Sequence, residues 1–243
     1  DLARQLIRRG VKVSINGLDH LLGAPVGGTD WITKDNDHLA HITAKAIHLT
    51  ECISTIKHPQ CEYLLLRYCS SNSLHHIGRL IFPRLAQGFA SQHHEAVLEG
   101  ARRVLLAEKL SPIQQARLTL PEYEGGGALT TAKQVLNGAF LGSAGATARW
   151  LNGKWWPEYA EYLKVMASHR EYQNVANFVE QQFEAYAATA LAGTTMPPYR
   201  FPDIDLQTPT FLPTQKRLLC ALHRIAAAHR MEDFVASAPV AAS

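Results

Sequence analysis

One stretch of this chain resists being helical, and it sets the plan for the rest. Gly17-Leu-Asp-His-Leu-Leu-Gly-Ala-Pro-Val-Gly-Gly28 carries a short apolar run, Leu21-Leu22, cut by Gly23, Pro25 and the pair Gly27-Gly28. A run this short, bounded by residues that punctuate strands and turns, predicts a tight β-hairpin between about residues 11 and 28. The segments after it repeat their apolar residues at helical spacing or break at Gly and Pro. The expected fold is therefore mainly α: a helical bundle with a short β-hairpin near the N-terminus.

The helices can be placed by period and punctuation. The first covers Asp1 to about Arg9, stopped by Gly10, with Arg8 and Arg9 suited to the negative helix end. Beginning on the last turns of a helix implies an upstream segment. A second helix is expected over about 34–57, with Leu39, Ile42, Ala46, Leu49, Ile53 and Ile56 as its apolar stripe. A short buried helix follows at Cys61–Cys69, with Leu64, Leu65 and Tyr68 on one face, and Ser70-Ser-Asn-Ser73 breaks the chain. Another helix is expected from near Ser91 to Leu110, ended by Ser111-Pro112. Leu118 and Leu120 alternate as in a short strand, and Gly125-Gly-Gly127 permits a sharp turn with positive φ. Two long helices, at about 130–151 and 158–191, complete this part, the second split near Ser168. Trp150, Trp155 and Trp156 between them read as a core plug under a turn. Residues 193–214, with five prolines, read as an extended linker, and residues 215–243 as a terminal helix and tail.

Of the 243 residues, 47% are hydrophobic, enough for a real core, and the formal charge is only +3. That mild excess excludes a strongly basic nucleic-acid binder. Cys52, Cys61, Cys69 and Cys220 form no Cys-x-x-Cys pair, so free thiols in an intracellular setting, cytoplasm or nucleus, are expected. No apolar run approaches the roughly 18 residues of a membrane span.

Several segments together resemble the region that follows the catalytic aspartates in reverse-transcriptase-like proteins of non-LTR retroelements. They are Gly10-Val-Lys-Val13, Leu22-Gly-Ala-Pro-Val-Gly27, Tyr63-Leu-Leu-Leu-Arg-Tyr-Cys69, Ala116-Arg-Leu-Thr-Leu120 with its glycine turn, and Gln215-Lys-Arg-Leu218, in that order. The resemblance implies that residues 1–30 end a palm-like region and that 31–192 form a helical, thumb-like domain. It implies an RNA or DNA primer–template as partner, together with an upstream catalytic palm of the same polypeptide. It places Leu22, Gly23, Ala24 and Pro25 against the primer, and makes Lys12, Arg102, Arg103 and Lys109 the first phosphate contacts to test. A solvated helix face, with Glu95, Glu99 and Glu108 balancing the charge, is an equally good reading of the last three.

A polymerase of this kind needs paired carboxylates for its magnesium ions. This chain has no Asp-Asp pair, so by itself it is expected to be inactive and to need no cofactor. There is no Gly-x-Ser-x-Gly elbow, no His-Glu-x-x-His and no phosphate loop after the three glycines. His38, His41, Lys45, His48 and Cys52 form a stripe at helical spacing, which reads as a solvated flank rather than a metal site. The alternative to a nucleic-acid module is a helical scaffold or protein-interaction domain, a retroelement relic.

Overall fold

The computed structural model describes residues 8–9, 17–21, 24–27, 32, 37–152, 165 and 167–189. The fold is mainly α, a helical bundle. The expected helix at Asp1–Arg9, apart from its last two residues, lies outside the described residues, as do the linker at 193–214, the terminal helix at 215–243 and the side chains of the tryptophan cluster.

Two short strands precede the bundle: β1, Gly17–Leu21, and β2, Ala24–Gly27. They pair antiparallel, with Gly17 opposite Gly27, Leu18 opposite Val26 and Leu21 opposite Ala24, and the register is irregular between Leu18 and Leu21. Ala24 is fully buried and joins a core with Ile32 and Leu39, so β2 is fastened to the first long helix.

That helix, α1, spans His38–Ile53. Its buried face is Leu39, Thr43, Ala46, Thr50 and Ile53. The expected stripe has the right period: Leu39, Ala46 and Ile53 are buried and Ile42 packs against the core at its edge, but Leu49 and Ile56 are exposed and the threonines complete the buried face. Thr50 can be buried because its hydroxyl donates to the Ala46 carbonyl at 3.1 Å and meets Ser70 Oγ at 2.5 Å. The His38–Cys52 flank is mostly exposed, as expected.

Helix α2, Pro59–Leu65, starts with Pro59 in the first turn, where its missing N–H costs nothing. His58 caps it: its ring accepts from Cys61 N, while Glu62 reaches back to His58 N at 2.9 Å. At Leu66–Ser70 the chain widens into a π turn, with Ser71 N donating to Leu66 O. The carbonyl of Arg67 is satisfied instead by Ser71 Oγ at 2.7 Å and Asn72 Nδ2 at 3.0 Å. The buried face differs from the expected one and starts before the π turn, at Glu62. Leu66 and Ser70 point inward, whereas Leu64 and Tyr68 are exposed.

After a one-turn helix α3, Ile77–Leu80, comes the central α4, Pro83–Val104. It begins well before the expected Ser91, because Pro83 opens a helix rather than ending one. Helix α5, Pro112–Thr119, replaces the strand expected from Leu118 and Leu120. Ser111 and Gln114 form a full capping box there, a local signal stronger than two alternating leucines. A 3₁₀ turn at Glu122–Glu124 ends in Gly125 with φ +73°, the left-handed position that the glycine run predicts. Helices α6, Ala132–Asn152, and α7, Arg170–Thr189, follow. The break before α7 lies at His169, next to the expected split.

α4 packs on both α1 and α6, α3 lies close against α6, and α7 leans on α6. The tight α3–α6 approach needs Gly78: a Cβ there would sit 3.2 Å from the Leu136 Cα. One apolar core gathers Leu39, Leu74, Ile77, Ala86, Ala90 and Leu136. A second gathers Ile53, Leu66, Val97, Ala101 and Leu129. None of the helices among the described residues is long and apolar enough to cross a membrane.

Candidate functional site

Two features stand out once the bundle is assembled: a seam of buried polar side chains and a surface groove. The seam runs between the Leu74 region, α4 and the start of α6. Ser73 Oγ donates to the Ser70 carbonyl at 2.8 Å, so His93 Nε2, 3.2 Å away, is the donor toward Ser73. The Nδ1 of His93 then carries a lone pair with no hydrogen-bond partner, on a side chain with 0% exposure. Burial holds His93 down at about 4, and the neighbouring His75 and His94 push the same way. His75 donates Nε2–H to the Thr130 carbonyl at 2.9 Å, and its pKa is also lowered, chiefly by burial. His94 Nδ1 meets Thr131 Oγ1 at 2.9 Å, and Thr131 N donates to Gln134 Oε1. These histidines therefore position the first turn of α6.

Ser73 and His93 do not make a nucleophile–base pair. A base must present a lone pair to the hydroxyl it activates, and here the proton sits between the two groups on the histidine. No carboxylate orients the other ring nitrogen. The seam is structural, and no group of three metal-ligating side chains converges among the described residues.

The groove lies on the outside of the same junction. Lys133, in the first turn of α6, divides it. On one side an opening of about 360 Å³ is lined by His94, Gln115, Thr119 and Gln134. On the other, one of about 250 Å³ is lined by Arg84, Gln87, Asn137, Asn174 and Phe178. Lys133 Nζ lies 3.8 Å from Glu95, and Arg84 Nε is 2.8 Å from Glu171. Side-chain amides and cations share the lining with Pro83, Pro112, Ala116, Leu136, Val175 and Phe178, so the openings offer hydrogen-bond donors beside apolar surface.

The candidate residues from the sequence fall into four groups. Lys12, Leu22 and Gly23 lie outside the described residues. Ala24 and Pro25 are buried under the bundle. Arg102 and Arg103 are both held by Glu99, at 2.7 and 3.0 Å, and Arg102 also donates to the Ala107 carbonyl. The Arg102 guanidinium holds the Glu99 carboxyl down at about 2, with Arg103 adding to it. Lys109 is exposed beyond the end of α4. Nothing in the sequence marks the groove residues Lys133 and Arg84. They lie far apart in sequence, and only the α4–α6–α7 packing brings them to one surface.

Comparison of the chain with protein families, with curated proteins and with solved structures finds no match.

Proposed function

We propose that this chain is a non-catalytic, thumb-like helical module of a reverse-transcriptase-like protein, and that it steadies a primer–template along the groove divided by Lys133. The observation that carries this reading is the groove itself, where Lys133, Arg84 and His94 line the openings together with five side-chain amides, over a partly apolar floor that includes Leu136, Val175 and Phe178. Such a surface grips a sugar–phosphate backbone without reading its sequence. The order of the segments supports the same reading: a short strand pair first, helices after it, as the resemblance implies. Ala24 and Pro25, being buried, serve here as a brace under α1 rather than as a contact surface. Arg102 and Arg103 share one carboxylate, Glu99, and Lys133 and Arg84 have Glu95 and Glu171, so each of these cations must exchange a carboxylate for a phosphate to contribute.

The test is anisotropy of a labelled RNA–DNA primer–template over a salt series. Binding should weaken as salt rises, and Lys133→Glu with Arg84→Glu should flatten the slope by about one unit per lost phosphate contact. No binding at low salt, or an unchanged slope in the double variant, overturns the reading.

A second reading, a protein-interaction scaffold, is favoured by one end of the bundle. There Arg103 Nη1 meets Ser54 Oγ at 3.3 Å and ties the ends of α4 and α1 together. Ile56, Leu105 and Leu106 are exposed at that end, Leu106 at 89%. Self-association abolished by Leu106→Asp, in a chain that ignores nucleic acid, would decide for the scaffold.

A further inference from the structure

We infer that the exposed face of α1 carries half of a binding site for a zinc-class metal ion, formed by His48 and Cys52 and completed by the same pair from a second copy of the chain. The two residues are one helical turn apart, so their side chains meet. Cys52 Sγ lies 3.5 Å from His48 Nε2. In a tetrahedral site a sulfur about 2.3 Å and a nitrogen about 2.0 Å from zinc are separated by about 3.5 Å. The pair therefore already spans one edge of that tetrahedron. The other ring nitrogen, His48 Nδ1, faces Glu51 Oε2 at 3.6 Å. This is an ion-pair distance, a few tenths of an ångström outside hydrogen-bond reach; once closed, a carboxylate there fixes the tautomer of a ligating histidine and raises its basicity. A cysteine, a histidine one turn before it and a carboxylate on the far ring nitrogen are three independent features of one site.

No third ligand converges on the pair among the described residues. A four-coordinate ion held by this pair therefore has two open positions. All three groups are exposed, with the His48 and Glu51 side chains at 75% and 63%. A two-fold axis across this face presents a second Cys52 and His48 and closes a Cys₂His₂ set. Leu49, exposed on the same helix, gives the two copies an apolar contact beside the ion. Lys45 is one turn earlier on the same flank and opposes the cation. The thiolate and Glu51 offset it. On binding, the thiol gives up its proton to solvent and the thiolate takes the ion.

The experiment is a Co²⁺ titration read by absorption, with Zn²⁺ added separately and the mass followed by light scattering. It uses a chain in which Cys61, Cys69 and Cys220 are serine, with the native chain run in parallel so that a folding defect in the variant is detected. We expect a thiolate–cobalt charge-transfer band and the strong visible bands of a four-coordinate ion. These should saturate at one ion per two chains, with doubling of the mass in Zn²⁺. Cys52→Ser should abolish both signals in either background, and His48→Gln should weaken binding at least tenfold. Bands that survive Cys52→Ser overturn the assignment. Saturation at one ion per chain without a change in mass overturns the shared site.

Discussion

The two sides of α4 are both buried, yet they are held in different ways. Toward α3 and α6 the contacts are Ala86, Ala90, Ile77 and Leu136, side chains with nothing to satisfy but volume. Toward the π turn and the Ser73 region the groups include the buried Thr50, Ser70 and His93 and the half-buried Ser73, where nearly every atom needs a partner. The first side gains stability from area removed from water and is insensitive to pH. The second gains less per atom and depends on each bond being made. One helix thus joins a tolerant interface to an exacting one.

The largest difference should come from emptying the tolerant side. Leu39→Ala removes a side chain that is 1% exposed and leaves a cavity beside the buried Ala24. We expect a loss of about 2–5 kcal/mol in urea unfolding, unchanged between pH 5 and pH 8. A loss that varies with pH would show the two sides to be coupled.

Acid should act on the other side alone. The folded state holds His93 at about 4, against an ordinary histidine value of 6.5. As pH falls through 6.5 the unfolded chain takes a proton that the native state refuses, so stability drops, and the drop ends near pH 4. The size is of order 3 kcal/mol. His75, also lowered by burial, adds in the same direction. Urea midpoints across this range should show the slope, and His93→Phe should remove most of it even if it costs stability at neutral pH. A slope unaltered in that variant would place the titration elsewhere.

Thr50→Val tests the bonding directly. It keeps the shape and strands the buried Ser70 hydroxyl, which Thr50 meets at 2.5 Å. A loss of about 1–3 kcal/mol is expected, and Thr50→Val with Ser70→Ala should recover part of it. Full additivity in that cycle would mean that the contact carries no energy of its own.

The smallest effect belongs outside both interfaces. Glu99→Gln releases Arg102 and Arg103 at the surface and should change stability by less than about 1 kcal/mol. If those arginines touch phosphate, the same variant should bind the primer–template more tightly and with a steeper salt slope. Unchanged binding would confine recognition to the Lys133 groove.

Much of the helical plan is legible in the residues, because periodicity and caps are local. Ser111-Pro112, the glycine turn and the α6 boundaries follow from neighbours a few positions apart. What is not legible arises where the buried face carries polar side chains. Apolar character alone places Leu64 and Tyr68 inward on an ideal helix, but the buried stripe is Glu62, Leu66 and Ser70, one residue in four, and it includes two polar side chains. The threonines of α1 look polar until Ser70, twenty positions on, supplies a partner for one of them. The seam fails to show for the same reason: His75 and His94 find Thr130 and Thr131 across 55 and 37 positions. Glu99 lies three and four residues before its arginines, a spacing that marks the pairing in advance.

The π turn has a further consequence for how this sequence can change. It holds one residue more than an α turn would, and its loosened carbonyl is already served by Ser71 and Asn72. Losing that residue would leave the Ser71 N–H on the Leu66 carbonyl as an ordinary helical bond, so the turn tightens while the chain after it holds its course. The cost falls on whichever inward side chain, Leu66 or Ser70, the deletion displaces. A single-codon deletion here would thus be taken up locally, whereas one in the middle of α4 would turn everything after it by about 100°. Length variation among relatives should therefore be tolerated at Leu66–Ser70 and in exposed turns such as the one at Gly125, and avoid the middle of α4.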